Sequence, residues 1–234
     1  MSSATLKKYY EGAEKILVAI DCIIFGFDKE TLKLLLFKRK IAPFAGEWSL
    51  IGSFVQSGES VPEAAQRVLE ESTGLNNVYL EEMGSYSDLQ RDPGSRVISI
   101  AHYALIRLDE HKQQLVETHQ ARWFPYDDLP DLILDHQEMT QNALAKLRRK
   151  ARYQPIGFEL LPEKFTLPQL QLLYQAIYQK KLDRRNFRKK ILSMKILEKL
   201  DEKDKTNSRK GAFLYRFDEK KYQELERKGM NFEL

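Results

Sequence analysis

Three short stretches hold residue types that could do chemistry. Residues 59–72, ESVPEAAQRVLEES, set Glu63, Arg67 and Glu71 at i, i+4 and i+8, so acid, base and acid line one stripe of a helix. Residues 91–96, RDPGSR, offer Arg91 and Arg96 for bidentate donation to an anionic or hydroxyl-rich ligand, and Asp92 to accept from sugar hydroxyls. The same six residues also suit a plain surface turn bent by Pro93-Gly94. Residues 183–190, DRRNFRKK, place Arg184, Arg185 and Asn186 at a helix start, where DNA bases are read. Arg188 and Lys189 follow, in position to hold phosphate.

The elements that position these groups follow from local signals. Ser60 can cap a helix and Glu63 can reach back to it as a capping box; Pro62 sits in the first turn and Gly74 where a left-handed stop is wanted. Ala64, Ala65, Val68 and Leu69 give that helix a narrow apolar face. Residues 16–27 read as a strand, 32–40 as its hairpin partner and 97–108 as a buried strand. Gln113 to Thr118 read as a polar approach to 121–130, and 132–150 as a helix with a basic end. Two prolines and a glycine mark a linker at 153–162, dividing a domain of residues 1–152 from one of residues 163–234.

In the second domain Thr166 and Gln169 form another capping box, and Leu170, Leu173, Tyr174, Ile177 and Tyr178 make an amphipathic stripe. A tight turn leads to Asp183, the N-cap of a second helix whose Phe187, Ile191 and Met194 face inward. Two helices joined this way have helix-turn-helix geometry. A strand at 195–200, a polar run at 201–211 and a strand at 212–217 then read as a wing. Its Lys203, Lys205, Arg209 and Lys210 would lie over phosphate or enter a minor groove.

Bulk composition agrees. Charged residues are 31% and hydrophobic ones 42%, a soluble globular mix, and no apolar run is long enough for a membrane span. The first fifteen residues have no apolar core of signal-peptide type. The single cysteine, Cys22, lies in an apolar run and reads as a buried thiol in a reducing cytoplasm. The four histidines have no metal-ligand spacing with it. The net charge of +4 is uneven: residues 180–234 carry 18 Lys/Arg against 10 Asp/Glu, the remainder 20 against 24. A basic end on an acidic body points to a polyanion as partner.

The loop and helix from Trp48 to Leu75 resemble the Nudix box, GX5EX7REUXEEXGU, of diphosphate hydrolases. Glu59, Arg67, Leu69, Glu71, Gly74 and Leu75 match it. Ser53 stands at the opening Gly, Val68 at the Glu after Arg, and Ser72 at the second Glu of the closing pair. WSLIGSFV, RDPGSRVISIAHYALI, ARWFPYDDLP and Leu134-Asp135-His136 are similar to flanking stretches of the ADP-ribose-hydrolase group, so the resemblance covers roughly residues 14–150. It implies a fold of the α+β class, a Nudix-like α/β/α sandwich with a mixed sheet. It also implies Mg²⁺ chemistry on a diphosphate, with carboxylates supplying the hard oxygen ligands. Val68 and Ser72 are i and i+4 and both lack charge, so no metal, cofactor or catalytic residue is expected and hydrolase activity should be weak or absent.

FTLPQLQLLYQAI, DRRNFRKKIL and RKGAFLYRF resemble the C-terminal winged helix of Nudix-related transcriptional regulators. That resemblance implies a cytoplasmic, effector-responsive homodimer on a roughly palindromic DNA operator, with no membrane partner. In one branch of that family the resemblance implies ADP-ribose or a phosphorylated relative as effector, and in another, of sugar-use regulators, a pentose such as arabinose. Since the diphosphate apparatus is eroded here, a sugar without diphosphate is the leading effector and ADP-ribose the second. Trp48, Tyr86, Tyr103 and Trp123 are candidates for the apolar wall of its pocket. The alternative is a hydrolase of ADP-ribose or a related nucleotide sugar, its basic tail serving substrate or assembly.

Overall fold

The chain's architecture, seen in a computed structural model, is described for residues 12–28, 31–108, 110–206, 210–229 and 232. It is organised by β1 (Leu17–Phe27), whose side chains alternate between two apolar layers. Ile20, Cys22 and Ile24 join the layer that contains Ala64, Ala65, Val68 and Leu69 of α1 (Val61–Thr73). Ile23, Phe25 and Phe27 join the layer that contains Met139, Ala143, Leu144 and Leu147 of α3 (His136–Tyr153). The period of two along a strand thus feeds both faces of one sheet.

β1 runs parallel to β6 (Val97–Arg107) along its whole length, from Leu17 opposite Val97 to Phe27 opposite Arg107. Its other edge is shared. β4 (Ile51–Phe54) pairs with residues 19–22 and β2 (Leu32–Lys38) with residues 25–27, both antiparallel. β3 (Trp48–Ser49) and β7 (Ala121–Pro125) flank β2, and β5 (Glu81–Tyr86) flanks β6, which completes seven strands. This is the expected α/β/α sandwich on a mixed sheet. Burial holds α1 to it: a fully buried Val or Leu contributes about 1.5–3 kcal/mol, against about 0.2–0.5 kcal/mol for a surface pair on a helix.

Three boundaries differ from expectation. The polar approach before residue 121 is a helix, α2 (Glu110–Thr118), anchored by the buried Val116. Its polar composition hides it: of residues 113–118, only Val116 is buried. The helix expected from residue 132 begins at His136: Leu132 bridges to Trp48 and Leu134 has φ 53°, so the chain is not helical there. The polar run after residue 200 stays extended to Asp204, paired with the strand that follows it.

The second unit is a three-stranded sheet, β8 (Phe165–Thr166), β10 (Ala212–Phe217) and β9 (Leu197–Asp204), in that order. Against it pack α4 (Leu167–Tyr178), α5 (Arg184–Ser193) and α6 (Glu219–Arg227). It matches the expected winged helix. Thr166 accepts from the Gln169 amide, and Asp183 caps α5 by accepting from the Asn186 amide at 2.8 Å.

The stretch between the units is folded onto them. Phe158, Leu160 and Leu161 are buried, and Phe158 stacks on Phe217 at 4.3 Å between ring centres. The α3-side layer of the sandwich and the core of the second unit form one continuous cluster. α3 is the bridge: Arg148 Nε donates to the Ile177 carbonyl and Tyr178 Oη to the Ala151 carbonyl, each at 3.1 Å.

Candidate effector cleft and nucleic-acid interface

Around α1, Arg67 gathers the acidic groups. Its Nε and Nη2 donate to the two oxygens of Glu59 at 2.8 and 2.6 Å, its Nη1 to Glu71 at 3.1 Å and its Nη2 also to the Phe54 carbonyl at 3.1 Å. The Arg67 bonds, joined by the Gln56 amide, lower the Glu59 pKa to about 2. Glu63 is occupied elsewhere, accepting from the Ser60 hydroxyl and amide, each at 2.7 Å, and these bonds hold it below the usual carboxylate range. Gly74 closes the helix at φ 72°.

Three departures from the Nudix box take definite places. Val68 is wholly enclosed between α1 and the sheet, so it does not share an open face with Ser72, which is half-buried. Ser53 is exposed on β4 in ordinary strand pairing with Ile20, where no glycine is needed. Mg²⁺ demands a near-octahedral shell of oxygens. With Glu59 and Glu71 on Arg67, Glu63 on Ser60 and no oxygen at Val68, this donor set does not fit it. Among the described residues, no group of three or more His, Cys, Asp or Glu side chains is placed to hold a metal ion.

A buried ionic hub lies on the α3 side. Arg91 donates through Nε and Nη2 to Asp135 at 2.9 and 2.8 Å, and its Nη2 lies 3.4 Å from Asp21. Ser99 Oγ donates to the same Asp21 oxygen at 2.5 Å. The Leu50 amide donates to His136 Nδ1 at 3.2 Å, which leaves the proton on Nε2, 3.5 Å from the other Asp21 oxygen. Burial lowers the His136 pKa, in keeping with a neutral ring. Burial is the strongest single influence on Arg91 and opposes its charge, but the bonds and charges of Asp135 and Asp21 together outweigh it and the pKa rises. Gly52 belongs to this hub, since a Cβ there would collide with the Asp21 carboxylate.

The hub shows which partners the RDPGSR side chains already have. Arg91 is buried and spent on Asp135, Asp92 accepts from the Gly94 amide at 2.7 Å, and Arg96 donates to the Ser87 and Asp88 carbonyls at 3.0 Å. The arginines build the loop before they can hold a ligand. Asp21, Ser99, Asp135 and His136 were not singled out as site residues. One signal was present for Asp21, a lone acid inside an apolar strand.

Beside the hub, the α3 N-terminal half, the β5 end and the loop after it enclose a cleft of about 1440 Å³. Tyr86, Asp88, Asp135, Glu138, Asn142 and Lys146 give it polar groups, and Phe44, Met83 and Leu134 an apolar wall. Asn142 donates to Tyr86 Oη at 3.1 Å. Of the seven predicted effector residues only Tyr86 and Arg91 line this cleft. Trp48 packs edge-on against Phe124 at 4.7 Å. Tyr103 is buried beside a separate cavity of about 510 Å³ that Glu81 and Lys150 also line. Trp123 packs against Gly26, its indole N–H buried without a partner among the described residues.

The predicted DNA face is on the surface. Arg184, Arg185, Asn186, Arg188 and Lys189 are all exposed on α5, while Phe187 and Ile191 anchor the helix beneath. Lys205 and Lys210 are exposed at the wing; Arg209 lies outside the described residues. Lys203, expected in the turn, is on β9 with its ammonium 4.5 Å from the Phe213 ring.

Known proteins agree with this geometry. The NUDIX domain family matches residues 15–145, and the NrtR DNA-binding winged helix domain family matches residues 157–217. An ADPR responsive transcriptional repressor, NtrR, of Acinetobacter baylyi is 32% identical over 205 residues, 86% of this chain and 82% of that protein. An ADP-ribose pyrophosphatase of Methanocaldococcus jannaschii is 38% identical over 125 residues, 53% of this chain and 71% of that protein. The crystal structure of Shewanella oneidensis NrtR complexed with a 27mer DNA superposes with a TM-score of 0.72 at 26% identity, covering 88% of this chain and 95% of that one.

Proposed function

This chain belongs to the Nudix-related transcriptional regulators, and we propose that it is a DNA-binding repressor whose Nudix domain senses ADP-ribose without hydrolysing it. The observation that carries this reading is one continuous core joining a Nudix cleft to a winged helix. α3 supplies Glu138, Asn142 and Lys146 to the cleft and, further along, the Arg148 and Ala151 bonds to α4. A ligand that binds the DNA-free conformation better than the DNA-bound one would shift α3 and with it α4 and α5. By linkage, operator DNA would weaken effector binding by the same factor.

ADP-ribose replaces the pentose as leading effector. The pentose expectation rested on the eroded box and on a resemblance to sugar-use regulators, and no relative named above points to such a sugar. A diphosphate need not be held by a metal: Lys146 and Arg149 line the cleft and could pair with phosphate. A cytoplasmic homodimer would fit this reading, and it would call for a two-fold operator, since two-fold proteins read two-fold sites.

The pyrophosphatase relative favours a second reading, an ADP-ribose hydrolase. Against it stand the Arg67 bonds to Glu59 and Glu71 and the enclosed Val68, which leave no carboxylate cluster for Mg²⁺. The test is a pair of measurements on one variant. Arg184→Ala with Arg185→Ala should abolish binding to a duplex that the wild type selects from a random pool, while ADP-ribose still raises the melting temperature. Unchanged DNA affinity would exclude α5 as the reading helix.

A further inference from the structure

Between the basic end of α3 and α5 lies a second cleft, of about 1080 Å³. Arg148, Arg149 and Arg152 line it from α3, Lys180 from the turn before α5, and Lys189 and Lys190 from α5 itself. Its single carboxylate, Asp183, is occupied in capping α5. Among the described residues none of the six cations forms an ion pair with a carboxylate. Six unneutralised cations around one hollow repel each other, and an anion filling it removes that cost.

We infer that this cleft seats the sugar-phosphate backbone of the same duplex that α5 reads, so that the last turns of α3 are a DNA-contacting element outside the winged helix. The inference rests on the DNA-binding reading. Two features select duplex DNA over a small anion. The cleft is continuous with the reading helix, because Asn186 and Lys189 belong to both the exposed face of α5 and the cleft wall. Its cations also come from two separate parts of the fold, as a backbone passing over both would require. Arg152 and Arg149 are exposed and can each meet a phosphate.

The experiment measures affinity for a wild-type-selected duplex and for a scrambled one across a salt series. In Arg149→Ala with Arg152→Ala, affinity should fall by the same factor on both duplexes. The slope of log affinity against log salt should shrink by about 1.8, near 0.9 for each phosphate lost. Arg149→Lys with Arg152→Lys should keep the wild-type slope, which separates charge from packing. An unchanged slope, or a loss confined to the selected duplex, overturns the inference. So does an Arg152→Ala variant that keeps the wild-type slope but no longer gains melting temperature from inorganic pyrophosphate: Arg152 lines this cleft and not the effector cleft, so this one would then be a small-anion site. Arg184→Ala with Arg185→Ala, run alongside, separates the two readings: if it abolishes binding to the selected duplex while the α3 variant changes nothing, only the cleft fails.

Discussion

Arg67 grips Glu59 with two donors, Nε on one carboxylate oxygen at 2.8 Å and Nη2 on the other at 2.6 Å. The same guanidinium reaches Glu71 and the Phe54 carbonyl, so it ties the loop to α1 and β4. Planar bidentate pairing of this kind is not reproduced by lysine. Arg67→Lys should therefore lower the melting temperature, and Arg67→Ala should lower it further. Circular dichroism melts check this. Equal melting temperatures for all three proteins would show the clamp to be idle.

Adding acids back to α1 should have opposite effects at its two altered positions. Val68 is fully enclosed, and an unpaired carboxylate there would cost several kcal/mol. Val68→Glu should unfold the domain or melt it far below wild type. Ser72 is half-buried next to Glu71, so Ser72→Glu should fold and should bind Mn²⁺ at least about tenfold more tightly than wild type. Isothermal titration gives the affinity, and no gain would show that Glu71, held by Arg67, and one added carboxylate do not together make a metal site.

Arg91 should matter chiefly to folding. Its side chain is 3% exposed, and it joins Asp135 to Asp21. Removing one partner from a buried ion pair leaves the others uncompensated, typically at about 3–5 kcal/mol. Arg91→Ala should therefore show a loss of that order in urea unfolding. A loss under about 1 kcal/mol would mean that Asp21 and Asp135 are solvated well enough without it.

Stability should fall in two acid steps. Burial lowers the His136 pKa from 6.5, and His102 is lowered by burial as well. Below about 6.5 the unfolded chain takes up these protons first, so stability is full above that pH and declines as pH falls through the folded values. Glu59, lowered from 4.5 to about 2, adds a second decline between those values. Urea unfolding from pH 8 to pH 3 checks both. His136→Gln should flatten the upper step without erasing it, and Glu59→Gln should flatten the lower one. A profile identical to wild type in either variant would assign that step to other groups.

What the sequence reveals here is what is local. The Ser60–Glu63 capping pair, the Gly74 stop, the alternation along β1 and the inward spacing of Phe187, Ile191 and Met194 all depend on neighbours a few residues apart. The hub was hidden because its parts are distant in the chain: Arg91 meets Asp21 across 70 residues and Asp135 across 44. An arginine beside a turn looks available until its partners are placed. The same holds for Trp48, Tyr103 and Trp123, which are aromatic enough for a pocket wall but serve the core or a different cavity. The union of the two units was also illegible. Pro155, Gly157 and Pro162 suggest a tether, while Phe158 and Leu160 between them are core residues.

The most direct measurement follows fluorescence anisotropy of a selected duplex while ADP-ribose is added with Mg²⁺ present, and then assays the nucleotide that remains. The duplex should be released as ADP-ribose saturates the protein, and the ADP-ribose should be recovered intact. A duplex still bound at saturation, or ADP-ribose consumed at enzyme rates on the order of 1 s⁻¹, would be incompatible with a non-hydrolysing sensor that controls DNA.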